Sequence, residues 1–490
     1  MIRALPDDGV CVSDGVTELT GAGLRDEVER LARMLVEHGC HRLAIMADNG
    51  VGWIVADLAA QQAQLCCIPL PLFFADAQLR AVISGIQPDV ILTDDPQRVQ
   101  RMLGESAAHA LRPAGFGLSL ISIPQGASEA LPRGTAKVTF TSGSTGAPKG
   151  VCLSRQNQLA VAQALRNALR FEGPRHLCLL PLSVLLENVA GVYCALLSAG
   201  CVIVPPGSAT GFAGAGGCSI EAICSVLDTY RPTSIILLPQ MLAGLVTAME
   251  AGWRPPPELR FAAVGGARVP AALIAAARNL QLPVYEGYGL SETASVVSLN
   301  RPGRDLPGSA GQVLDHVVVT TEASQIIVTG NTFLGYSGEP ASWYPEAVHT
   351  GDLGELDAAG FVHILGRAKN VLISSYGRNI SPEWPESALL GEAAISACVV
   401  IGEQRPYCSA LLWVADKATT DADLHAAVAR ANRDLPDYAR IRSWIRLDGS
   451  YTDTPGLATA NGKPRRDAIV QHYADAIDTI YDDARRASTV

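Results

Sequence analysis

Twelve cysteines are spread over the 490 residues, yet none forms C-x-x-C and none stands with histidine at zinc-finger spacing. That argues against a zinc module or a dithiol redox motif. Most lie in apolar runs, as Cys178 and Cys398 do, and read as small buried hydrophobes of a reduced, cytoplasmic protein. There is no basic excess: 38 Lys and Arg face 48 Asp and Glu, for a net charge of −10, which argues against a nucleic-acid binder. The opening Met1–Asp8 has no apolar stretch, so no secretory signal is expected. Glycine and proline show no Gly-X-Y period, which excludes collagen, and no internal repeat or low-complexity tract stands out. Charged residues are only 18% of the chain while apolar ones are 48%, so a large core is possible and disorder is excluded. The run Val189–Pro205 has no charge and is at the lower limit for a membrane span. Its two glycines and its entry into Cys201-Val-Ile-Val-Pro predict instead a buried helix followed by a central strand.

What the chain does have is alternation. Leu24, Val28, Leu31 and Leu35 recur at helical spacing, with Gly39 where a cap belongs. Arg42–Met46 is a strand-length apolar run. Helix over 51–64, strand over 66–70, helix over 75–86 and strand over 90–93 are predicted next, with Pro69 at the strand's end. This pattern predicts βα units on a mostly parallel sheet, resuming after Lys137 and lasting to about Val297. From Gly308 to His363 short β-rich runs take over, including Val317–Thr320 and Gln325–Val328. From Arg367 onward 15 basic and 16 acidic residues nearly cancel, whereas the preceding part carries almost all the negative charge. A boundary near Arg367 would leave a C-terminal unit of common domain size.

The strongest local signal is Lys137-Val-Thr-Phe-Thr-Ser-Gly-Ser-Thr-Gly-Ala-Pro-Lys-Gly150. A β-type run feeds a loop of small residues. Its backbone N–H groups can approach an anion closely, hydroxyls add donors, and Lys149 adds charge. It is not a Walker A loop, because Pro148 replaces the second glycine and no Ser or Thr follows Lys149. Four further stretches stand in order: Tyr288-Gly-Leu-Ser-Glu-Thr293, His349-Thr-Gly-Asp-Leu-Gly354, Gly366-Arg-Ala-Lys-Asn through Pro382, and Asn461-Gly-Lys463. Taken singly, Asp352 reads as a turn residue, Glu292 as a cap partner and Lys463 as a surface lysine.

Together the five motifs resemble the signatures of the adenylate-forming superfamily, which includes acyl-CoA synthetases, peptide-synthetase adenylation domains and luciferases. The hinge region is most similar to fatty acyl-CoA synthetases. The resemblance implies an α/β fold: a large N-terminal domain of βα subdomains plus a β-rich segment (1–366), a hinge (367–371) and a small mobile α+β lid (372–490). It implies that a carboxylate attacks the α-phosphate of ATP, leaving an acyl-adenylate and pyrophosphate, and that a thiol then takes the acyl group.

On that resemblance Thr141, Ser142, Gly143, Ser144, Thr145, Gly146 and Lys149 hold the phosphates. Glu292, with Thr141, holds Mg²⁺. Gly265, Gly266, Ala267 and Glu286, Gly287, Tyr288, Gly289, Leu290 and Ser291 line the adenine slot. Asp352 takes the ribose hydroxyls, Arg367 contacts ribose or phosphate, Lys369 is the hinge, and Lys463 bridges carboxylate and α-phosphate. Catalytic weight falls on Lys463, Lys149 and Glu292, because an anion attacking a polyanion needs positioning and positive charge.

The stretch Leu180–Val189 resembles the acyl-pocket motif, but residues 180–186 contain no acid to pair with an α-amino group. Val184, Leu185, Val189, Val264 and Val296 make an aliphatic pocket, and a fatty acid is the expected substrate. The acceptor is CoA or the phosphopantetheine of a carrier protein. An amide-forming ligase and a catalytically silent binding homologue are the alternatives. Arg433, Arg440, Arg442 and Arg446 make a basic patch with two readings, a docking face for CoA or a carrier protein and a solvated amphipathic face. No nucleic acid and no membrane span are expected.

Overall fold

The computed structural model describes the chain apart from residues 1, 3–4, 105–108, 125, 143–147, 212–218, 415, 460–463 and 488–490, and describes only the backbone of 109–110, 142, 434 and 482–487. It has the mixed α/β architecture expected, with a separate C-terminal unit.

Among the described residues, the first large sheet has eight strands and runs, edge to edge, through Gly335–Tyr336, Pro148–Leu153, Lys137–Ser142, Cys66–Pro69, Arg42–Met46, Val90–Thr93, Leu118–Ser122 and His109–Gly115. Its middle strands are parallel and fully or almost fully buried, which is why they read as unbroken apolar runs. Helices precede them, the first with a side-chain cap. Thr20 Oγ1 accepts from the Gly23 N–H at 3.2 Å to open the helix Gly21–Glu37, and Gly39 follows its end with φ of 67°. The second helix closes at Gln62, two residues earlier than predicted, and is buried on nearly every side.

The second large sheet has nine strands, with Phe261–Val264 and Val284–Leu290 parallel and Ser295–Leu299 turning back antiparallel. Cys201–Ile203 lies inside this sheet between Arg175–Leu177 and Val10–Ser13, as the charge-free run predicted. The helix before it differs from expectation: Leu186–Tyr193 is a π-helix that becomes α only at Cys194–Leu197. One apolar core draws Leu43, Ile45 and Leu92 from the first sheet and Val12, Val202 and Phe261 from the second. No helix among the described residues is long and apolar enough to cross a membrane.

The glycine-broken region forms a four-stranded antiparallel sheet, Val317–Glu322, Gln325–Gly330, Ala347–Leu356 and Val362–Arg367. After the 3₁₀ turn Ala368–Asn370 comes the hairpin Leu372–Ile373 with Asn379–Ile380, then a three-stranded sheet carrying Trp413 in its core. A Cβ on Gly366 would strike the Ser381 hydroxyl, so only glycine lets the chain fold back against itself there.

Candidate active site

The glycine-rich stretch is followed by a strand and not by the helix that follows a Walker loop. Strands Lys137–Ser142 and Pro148–Leu153 pair antiparallel, with Thr141 opposite Lys149. Gly143, Ser144, Thr145 and Gly146, and the side chain of Ser142, lie outside the described residues, as does Lys463.

Lys149 Nζ is 3.1 Å from Glu339 Oε2 and 3.6 Å from the centroid of the Tyr336 ring. The Tyr336 hydroxyl donates to Glu292 Oε1 at 2.9 Å, and burial beside Glu292 and Glu339 raises this phenol well above its ordinary range, so it stays a donor. Glu292 is therefore not a cap partner; it sits on the 3₁₀ turn Ser291–Thr293 with one carboxylate oxygen committed to tyrosine. Directly after that turn Ala294 and Ser295 have φ of 60° and 119°, a strained pair that turns the chain back into the sheet. Thr141, a second oxygen ligand by type, is half-buried opposite Lys149. Hard oxygen donors beside a lysine suit magnesium held partly by phosphates.

A second cluster surrounds Asp352. It lies in the strand Ala347–Leu356 and not in a turn, and its side chain is 8% exposed. Its Oδ2 accepts from the Tyr288 hydroxyl at 2.7 Å and its Oδ1 meets Arg367 Nε at 2.7 Å. Burial and the adjacent carboxylate push the Tyr288 phenol well up. Two motifs 64 residues apart in the chain are thus joined by one carboxylate.

Between these clusters the backbone comes close to itself. A Cβ at Gly265 would lie 2.8 Å from the Gly287 carbonyl oxygen, and one at Gly289 would fall on the Ser295 carbonyl, so both positions need glycine. Gly266 has φ of 81°; Ala267 is exposed, and Leu290 and Ser291 are half-buried. Glu286 is pushed up to about 7, chiefly by burial, against the opposing pull of the Val269 N–H and the Arg268 guanidinium.

The residues expected to line an acyl pocket are mostly buried. Leu185, Val189, Val264 and Val296 are 6%, 0%, 1% and 7% exposed, and only Val184 is half-buried. Glu187 stands in the first turn of the π-helix Leu186–Tyr193. It is fully buried, with Oε1 2.7 Å from His176 Nε2 and Oε2 accepting from the Leu180 N–H at 2.9 Å. His176 and Glu187 lie with Cys178 as a trio of metal-ligand type, but the imidazole is bonded at both nitrogens and the carboxylate at both oxygens. Lys369 is exposed on the turn Ala368–Asn370, and Arg367 is 47% exposed. Of the basic patch, Arg442 pairs with Asp437 at 3.0 Å and Arg446 with Asp421 at 3.3 Å, while Arg440 bonds the Leu435 carbonyl. Two of its charges are thus already answered locally.

The profile of the AMP-binding enzyme family matches residues 2–324, and that of the AMP-binding enzyme C-terminal domain matches residues 369–485. A long-chain-fatty-acid–CoA ligase of Mycobacterium bovis is 24% identical, over 96% of this chain and 93% of its own. A feruloyl-CoA synthase of Amycolatopsis is 29% identical, over 81% and 82%. Among solved structures, an anthranilate CoA ligase with anthranoyl-AMP superposes with a TM-score of 0.79 at 17% identity, covering 96% of this chain and 95% of that one. The amide bond synthetase of Marinactinospora thermotolerans gives 0.77 at 23%, covering 96% and 98%.

Proposed function

The chain belongs to the AMP-binding enzyme family, and we propose that within it this protein activates an apolar carboxylic acid, most simply a fatty acid, and hands it to a thiol. Its reaction class is AMP-forming acid ligation: adenylation of the acid by ATP, then acyl transfer. Mg²⁺ with ATP supplies charge neutralisation at the phosphates. In our reading Lys149 and the loop hold the β- and γ-phosphates, Glu292 and Thr141 hold the metal, Asp352 takes the ribose hydroxyls, and Lys463 is aimed at the α-phosphate in the adenylating pose. Residues 367–371, centred on Lys369, are the hinge on which 372–490 swings.

One observation supports an apolar acid over an α-amino acid. Glu187, the acid nearest the pocket stretch, has both oxygens committed to His176 and Leu180. Fully buried and held by those two partners, it is not presented to a substrate ammonium, whose unpaired burial is costly. The second reading, an aryl acid, is favoured by relatives named for ferulate and anthranilate. The thiol is CoA or a carrier-protein phosphopantetheine; the local pairing of Arg442 and Arg446 weakens the case for a carrier docking on that patch. We place the reaction in the cytoplasm.

The test is pyrophosphate release over acids from acetate upward, with aryl acids and standard amino acids beside them. Each buried methylene contributes about 0.8 kcal/mol, so kcat/KM rises with chain length until the pocket ends. A preference for an aryl acid, acetate or one amino acid rejects the fatty-acid reading. Lys463→Ala separates the half-reactions: adenylation falls by roughly 10²–10³, whereas transfer from supplied acyl-adenylate is much less affected. An equal fall in both contradicts the role given to Lys463.

A further inference from the structure

The β-rich segment contains a side chain that no motif pointed to. Tyr336 lies on the short edge strand Gly335–Tyr336, paired with the strand that carries Lys149, with Tyr336 opposite Val151. It touches both charged groups of the phosphate side at once: the face of its ring lies under Lys149 Nζ and its hydroxyl donates to Glu292. The rest of the residue is fixed. Its N–H donates to Ser342 Oγ at 2.9 Å, its carbonyl accepts from Trp343 Nε1 at 2.9 Å, and its ring meets Phe333 edge-on at 4.9 Å. Gly335, with φ of 124°, admits Trp343 where a side chain would strike its ring.

We propose that Tyr336 is a positioning residue of the adenylation step, its ring setting Lys149 and its hydroxyl setting Glu292 so that the phosphate charge and the metal carboxylate are held in fixed relation. This rests on the reading of Glu292 as a magnesium ligand and Lys149 as a phosphate ligand. Glu339 completes the arrangement. As an acid on Lys149, it is the partner that phosphate replaces, whereas the ring beneath the lysine stays in place. A neutral tyrosine can hold an ammonium without competing for the anion that the ammonium must bind.

The two functions of one side chain can be separated in the full-length protein. Tyr336→Phe keeps the ring and deletes the hydroxyl; Tyr336→Leu deletes both. ATP binding is measured by calorimetry across a magnesium series and in EDTA, with acid-dependent pyrophosphate release and melting temperature alongside. For Phe, we expect the magnesium concentration giving half-maximal ATP affinity to rise about 10-fold, since a hydrogen bond to a charged group is lost, with EDTA binding unchanged. For Leu, EDTA binding also weakens, by roughly 3- to 10-fold. An unchanged magnesium dependence in Tyr336→Phe overturns the proposal, as does an equal loss in magnesium and in EDTA. If Tyr336→Leu fails to fold, the Phe variant decides alone. Glu292→Gln tests the premise separately: if it leaves the magnesium dependence of the wild type intact, the metal assignment fails and not merely the role of tyrosine.

Discussion

Two lysines stand on the two strands of one hairpin, and their surroundings are opposite. Lys137, at the base, is 1% exposed. Its ammonium forms an ion pair with Asp57 Oδ1 at 2.8 Å and donates to the Tyr193 hydroxyl at 3.0 Å and to the Asn188 carbonyl oxygen, so the charge is answered entirely inside the core. Lys149, near the tip, is 39% exposed and pairs with a half-exposed glutamate and a ring face. The same contrast divides the carboxylates. Glu187 is sealed between His176 and Leu180, whereas Glu292 keeps an oxygen uncommitted to tyrosine. A charge whose partners cannot be exchanged without unfolding is structure. A charge whose partners a ligand can replace is available for chemistry.

The largest effect expected from breaking that contrast is at the base. Lys137→Met leaves Asp57 buried without its counter-charge, at a cost of about 3–5 kcal/mol in stability. Denaturant unfolding measures it, and adding Asp57→Leu restores much of the loss. A single variant as stable as the wild type would show that the pair holds nothing together. The opposite signature is expected near the tip. Lys149→Ala shifts stability by less than about 1 kcal/mol, because its ion pair is exposed. Its acid-dependent pyrophosphate release falls by roughly 10²–10³. A melting shift as large as that of Lys137→Met would erase the distinction.

Glu286 sharpens the comparison through its proton. Its carboxyl is raised from 4.5 to about 7 in the folded protein. Between those values the folded chain keeps a proton that the unfolded chain has lost, so stability declines as pH rises from about 5 to 7 and levels off above. The decline from this group is at most about 3 kcal/mol. Glu286→Gln flattens that part of the profile; an unaltered profile would place the proton elsewhere. The smallest effect is expected at Asp352: if it takes the ribose hydroxyls as proposed, Asp352→Ala raises the KM for ATP by about 10-fold, and an unchanged KM contradicts that role.

Most of the framework was legible as pattern. The bounds of Arg42–Met46 and Val90–Thr93 matched the structure because a parallel strand buried on both faces is an unbroken apolar run. The π-helix Leu186–Tyr193 was not legible, because its register follows from what its polar side chains reach. Asn188 and Tyr193 bond Asp57 across 131 and 136 residues of sequence, a distance no periodicity reports. The hydrogen bond from Tyr288 to Asp352 was not legible either: the family resemblance gave the two residues separate roles and named no contact between them. Tyr336 was missed for a simpler reason: it lies on a two-residue edge strand among glycine breaks, and its meaning comes from the strand beside it.

The most direct measurement of the account is product analysis of a single half-reaction. Full-length protein is incubated with Mg²⁺, ATP and a fatty acid, with no thiol and no amine present, and the products are resolved by mass spectrometry. Acyl-adenylate and pyrophosphate are expected in equal amounts, dependent on the acid and formed roughly 10²–10³ more slowly by Lys149→Ala. ADP with free phosphate, or no acid-dependent turnover with any carboxylic acid, would contradict the account.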